Sequence, residues 1–126
     1  MSALEGVSGD EFELKWLGWA GAVPDYPEEQ QQLDQRLLEE FGCCSVFLSA
    51  EEVEAYYDGF SNGSLWPILH YNPHLMEYDG VQWDIYKQVN RKFAARILEL
   101  AGDDDLVWVH DYHLMLVPVK GHVALN

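Results

Sequence analysis

Asp105-Leu-Val-Trp-Val-His-Asp-Tyr-His113 is the stretch whose reading decides the fold. Leu106, Val107, Trp108 and Val109 form an unbroken apolar run rich in β-branched and aromatic side chains. An acidic turn, Gly102-Asp-Asp-Asp105, precedes the run, and the polar cluster His110, Asp111 and His113 stops it abruptly. A run that is apolar on both faces predicts a strand buried on both sides, as in a parallel sheet covered by helices. Ligands of such sheets bind just beyond the carboxyl ends of the strands. The polar cluster therefore falls where a site is expected.

The segments on either side support an α/β pattern. Immediately upstream, Tyr86, Val89, Phe93, Ile97 and Leu100 recur at three- and four-residue steps, with Lys87, Arg91, Lys92 and Arg96 on other faces. That spacing predicts an amphipathic helix over 81–101. Further back, Ser49-Ala-Glu-Glu52 is a capping box, with Leu48 and Val53 placed for a hydrophobic staple. A helix beginning near residue 50 carries Tyr56 and Tyr57 towards its end, residues 58–63 form a loop or break, and Pro67 starts a short helix. A polar connection over 72–80 follows.

The first third alternates in the same way. Phe12, Leu14 and Trp16 share one face of a strand over 11–18, which ends in the loop Gly18-Trp-Ala-Gly21. Pro27, Glu28 and Glu29 suit the first turn of a helix that carries Leu33, Leu37, Leu38 and Phe41 and is capped by Gly42. Cys44-Ser-Val-Phe-Leu48 is a second buried strand, and Leu114-Met-Leu-Val-Pro118 begins another helix. Strands alternating with helices indicate a parallel sheet with helical layers.

Composition narrows the function. The chain carries 7 Lys plus Arg against 22 Asp plus Glu, a formal net charge of -15, so nucleic acid and anionic membranes would be repelled. No apolar run approaches the ~20 residues of a membrane helix, and no signal peptide is read at the amino terminus. Cys43 and Cys44 are the only cysteines, and neighbours in sequence rarely bridge, which suits a reducing, cytoplasmic compartment. The Walker-type, dinucleotide-binding and nucleophile-elbow motifs are all missing.

Two stretches carry chemistry. In His110-Asp-Tyr-His113 two imidazoles could meet at a metal only from a turn, and no further ligand spacing reinforces that reading. Asp111 either caps the following helix or accepts hydrogen bonds from sugar hydroxyls beyond the strand, and both alternatives stay open on chemistry alone. Tyr56-Tyr-Asp-Gly-Phe-Ser-Asn-Gly-Ser-Leu-Trp-Pro67 interleaves aromatic faces with small polar groups, the combination that holds sugars or bases. Phe60 is read as core, while Trp19 and Trp66 could serve either as core or as pocket wall.

Taken together, Leu17-Gly-Trp-Ala-Gly21, the 56–67 stretch with His70-Tyr71, Val89-Asn90 with Phe93-Ala94, and Val107 to Leu116 resemble the α,α-trehalose-6-phosphate synthases (UDP-forming) of glycosyltransferase family 20. The resemblance implies a retaining transferase that moves glucose from UDP-glucose to glucose 6-phosphate in trehalose biosynthesis, without metal or other cofactor. It implies a two-lobe, GT-B type fold, of which residues 11–118 would form a partial Rossmann-like amino-terminal lobe. Residues 1–10 are then a disordered amino terminus and 119–126 a divergent tail. By motif, Tyr57 and Asp111 correspond to acceptor-sugar ligands, Trp66 to the tryptophan that shapes the acceptor pocket, and Trp19 to a further pocket wall. No catalytic residue is assigned. The family's phosphate-binding arginine loop and donor lobe have no counterpart here, so the chain is expected to be inactive alone. The alternative is a non-catalytic short form that binds or regulates a full-length trehalose synthase complex.

Overall fold

The computed structural model describes residues 13–19, 21 and 26–118. The expectations for residues 1–10, Phe12 and 119–126 lie outside these. The chain divides between Phe47 and Leu48 into two compact units.

The first unit is a strand–helix–strand crossover: β1 (Trp16–Trp19), α1 (Pro27–Phe41) and β2 (Cys43–Val46). The strands pair in parallel, with Trp16 opposite Cys43 and Trp19 opposite Val46. Parallel neighbours cannot be joined by a tight turn, and α1 supplies the crossover. Pro27 opens α1 with Glu28 and Glu29 in its first turn, and Gly42 closes it at φ 64°, ψ 26°. That left-handed geometry is one glycine adopts without steric cost, and it lets the Gly42 N–H donate to the Leu38 carbonyl at 3.1 Å. The Asp34 carboxylate accepts the Ser45 N–H at 2.9 Å, tying helix to strand. Cys44, Ser45 and Val46 are buried. β1 begins at Trp16, later than the alternation over 11–18 predicts.

The second unit begins with the capping box. The Glu52 N–H donates to Ser49 Oγ at 3.1 Å, and the Ser49 N–H donates to Glu52 Oε1 at 3.2 Å. α2 (Ala50–Val53) then continues directly into a π-helical segment, Glu54–Leu65, and into α3 (Trp66–Leu69). The expected break over 58–63 is therefore helical. Gly59 and Gly63 weaken a helix locally, but packing outweighs propensity here. Phe60 packs on Trp83 at 5.1 Å and on Tyr86 at 4.8 Å, and Ser61 and Ser64 are buried with it. The wider winding is visible where the Trp66 N–H bonds the Ser61 carbonyl five residues back.

Residues 72–79 hold a 3-10 turn, Pro73–Leu75, and Asp79 caps α4 (Gly80–Leu100) by accepting the Val81 N–H at 2.8 Å. α4 buries Tyr86, Val89 and Phe93 of the predicted stripe together with Asn90 and Ala94, while Ile97 and Leu100 are half-buried.

The run Leu106–Val109 departs from expectation: it is not a strand, and Leu106 is 71% and Trp108 52% exposed. A strand exists only through neighbours that complete its ladder and layers that cover its faces. The described residues of this unit contain no other strand. Beyond it, Tyr112–Leu114 is a 3-10 turn, and Val117 is buried at the place where a new helix was expected.

Candidate functional site

The 3-10 turn at the end of the apolar run is pinned to the helices beside it. Tyr56, buried in the π-helical segment, donates its hydroxyl hydrogen to the His113 carbonyl at 2.8 Å. Tyr86 of α4 donates to the Tyr112 carbonyl at 2.7 Å. Burial pushes the Tyr56 phenol well above its ordinary range, with Tyr86, Asp111 and Tyr57 adding to the effect. Burial raises Tyr86 as well, so both remain neutral donors at ordinary pH.

Around that turn the structure gathers three of the four residues singled out by motif, Tyr57, Trp66 and Asp111. His113 Nδ1 lies 3.3 Å from Asp111 Oδ2. The Tyr57 ring stacks on the His113 ring at 4.7 Å between centroids and 12° between planes. Trp66 stacks on His70 at 3.5 Å and tilts against Tyr112 at 5.5 Å. Tyr57, Trp66 and Asp111 all remain exposed. Trp19 ends β1 in the first unit, also exposed. Both open readings of Asp111 have a physical basis: its Oδ1 accepts the Tyr112 N–H at 2.7 Å, while the rest of its carboxylate borders His113 and solvent.

Two residues join the cluster that motif reading did not single out. The Tyr112 hydroxyl donates to Asn62 Oδ1 at 2.7 Å, linking the turn to the π-helical segment. The Tyr112 phenol is raised by burial first, then by Asp111 and Tyr57. The available signal was an amide and a phenol inside otherwise aromatic stretches, which marks groups that need a polar partner. Aromatic planes beside carboxylate, phenol and amide groups suit a polyhydroxyl ligand, with apolar contact on ring faces and directed hydrogen bonds at edges. Among the described residues, no group of three or more His, Cys, Asp or Glu side chains is arranged to hold a metal ion.

This architecture is that of the GT-B glycosyltransferases, of which the chain forms a partial lobe. An α,α-trehalose-phosphate synthase (UDP-forming) from Burkholderia xenovorans, solved with glucose-6-phosphate, superposes with a TM-score of 0.69 at 32% identity, covering 86% of this chain and 23% of that one. A structure from E. coli bound with UDP-2-fluoro glucose gives a TM-score of 0.69 at 32% identity over 85% of this chain and 23% of its own. The 56 kDa subunit of the Saccharomyces cerevisiae α,α-trehalose-phosphate synthase (UDP-forming) is 43% identical, covering 100% of this chain and 25% of that protein. The profile of Glycosyltransferase family 20 matches residues 1–120, and the chain belongs to that family. It spans about a quarter of the length of these curated relatives.

Proposed function

We propose that this chain supplies the acceptor side of a trehalose-6-phosphate synthase, an enzyme that transfers glucose from UDP-glucose to glucose 6-phosphate with retention. The observation that carries the reading is the gathering of Tyr57, Trp66 and Asp111 around one pinned turn in a family 20 chain. In this reading Asp111 accepts sugar hydroxyls, Tyr57 and Trp66 wall the acceptor, and Trp19 contributes a further wall. Residues 11–118 act as part of a Rossmann-like amino-terminal lobe. The unbridged cysteines Cys43 and Cys44 suit a cytoplasmic setting.

Transfer with a departing nucleotide needs cations at the developing phosphate charge. Lys15, Arg36, Lys87, Lys92 and Arg96 instead meet carboxylates of Glu13, Glu40, Asp84, Glu52 and Glu99. In this reading the chain binds acceptor and does not turn over alone. Titration with glucose 6-phosphate, followed by amide NMR, should perturb the Tyr57, Trp66 and Asp111 regions, with glucose weaker. A hydrogen bond to a charged group is worth ~1.5–3 kcal/mol, so Asp111→Asn should weaken binding at least ~10-fold. Trehalose 6-phosphate formed by the chain from both substrates would overturn the claim of inactivity, and shifts confined elsewhere would overturn the site.

A second reading, a non-catalytic form that joins a full-length synthase complex, is favoured by the exposed apolar run at Leu106 and Trp108. Capture of full-length synthase at fixed stoichiometry, undisturbed by Asp111→Asn but lost on Trp108→Ser, would favour it over acceptor binding.

A further inference from the structure

Asp111 has a backbone conformation that its side chain should not tolerate. Its φ is 77° and its ψ 155°, in the region that only glycine enters without strain. Strain of this kind persists where the surroundings over-determine it. The surroundings here are three buried polar side chains aimed at the backbone just after Asp111.

Asn90 is the most constrained of them. It is 0% exposed on the apolar face of α4, where an unsatisfied carboxamide would be costly. Its Nδ2 donates to the Tyr86 carbonyl at 2.9 Å and to the His113 carbonyl at 3.2 Å. Its Oδ1 accepts the Leu116 N–H at 3.2 Å. One amide thus fixes both ends of the 113–116 turn. Tyr86 secures the carbonyl of residue 112, and Tyr56 shares the carbonyl of 113 with Asn90.

We infer that Asn90, with Tyr86 and Tyr56, forms a buried clamp that forces Asp111 into its strained conformation and so sets where its carboxylate points. Asn90 is a positioning residue: it lies beneath the turn, and it acts through Asp111. The consequence for ligand binding rests on the acceptor reading proposed above, whereas the clamp itself does not.

The test compares glycine with alanine at position 111 in the full 126-residue chain. Asp111→Gly and Asp111→Ala lose the same carboxylate, and only alanine pays for the positive φ. Urea unfolding should favour Asp111→Gly by about 10-fold in the folding equilibrium constant. In backgrounds carrying Asn90→Ser, or the milder Tyr86→Phe, the turn can relax and the preference should fall to about 2-fold or less. No glycine preference in the parent background, or one that survives both clamp substitutions, overturns the inference. A residue that merely added stability would leave that ratio untouched.

With Asp111 retained, Tyr86→Phe and Asn90→Ser should each weaken glucose 6-phosphate binding about 5-fold. Unchanged affinity in a parent that binds would overturn the positioning role. A parent that binds no glucose 6-phosphate would overturn the acceptor reading, and the glycine-to-alanine ratio would still decide the clamp.

Discussion

The inward face of α4 and the run Leu106–Val109 belong to the same compact unit and fare differently: Val89 is 0% exposed, Trp108 52%. A helix satisfies its own backbone and needs only one covered stripe. A strand inside a parallel sheet needs neighbours along both edges and layers on both faces. The π-helical segment covers α4, so its apolar residues close into a core. Among the described residues of its own unit no strand lies beside 106–109. Apolar sequence states a demand for burial, and whether the demand is met depends on which partners the chain brings.

The largest expected effect lies on the buried side of that contrast. Phe93→Ala should destabilise the chain by ~3–5 kcal/mol in urea, since Phe93 is buried and its loss leaves a cavity. A cost below ~1 kcal/mol would mean that the α4 face is as loosely held as the 106–109 run. The raised tyrosines give the same core a pH signature. A group whose folded pKa lies above its unfolded value stabilises below the unfolded pKa and stops doing so as pH rises through the folded value. Tyr56 and Tyr86 both lie above the ordinary 10.0, so the urea midpoint should hold up to about pH 10 and fall beyond it. Tyr86→Phe should flatten part of that fall.

The capping box sharpens the comparison from the start of the unit. Ser49→Ala should cost ~1 kcal/mol. Glu52 is the informative partner. Burial alone would raise its pKa, but the Lys92 hydrogen bond, the Ser49 N–H and the Lys92 charge together bring it below the ordinary 4.5. A depressed carboxyl stabilises above its unfolded pKa, and that contribution disappears as pH falls through the folded value. The loss should therefore begin below about pH 4.5, and Glu52→Gln should remove this share of the acid sensitivity. An acid limb identical in Glu52→Gln and parent would show that the ion pair does not form in solution.

What was legible in the sequence follows the same division between self-sufficient and partner-dependent structure. α1, α4, the glycine cap and the capping box are local, and each was readable from spacing and end chemistry. The π-helical winding over 54–65 was not, because glycine, serine and asparagine argue for a break and only the packing of Phe60, Ser61 and Ser64 overrides them. Motif resemblance picked out Tyr57, Trp66 and Asp111, and the structure brings these together while Trp19 sits in the other unit. Asn62, Tyr112 and the clamping role of Asn90 depend on contacts 23 to 50 residues apart, which no local pattern encodes.

The smallest expected effect makes the sharpest test of the contrast. Trp108→Ser removes a large apolar side chain, yet in this chain it should cost no more than ~1 kcal/mol, because about half of Trp108 is already exposed. The same substitution inside a covered strand would cost several times more. A loss above ~2 kcal/mol would therefore show that 106–109 is paired in solution. Its dependence on protein concentration would then name the partner: a cost that grows with concentration puts another copy of the chain against the run, and a constant cost puts the pairing within one copy.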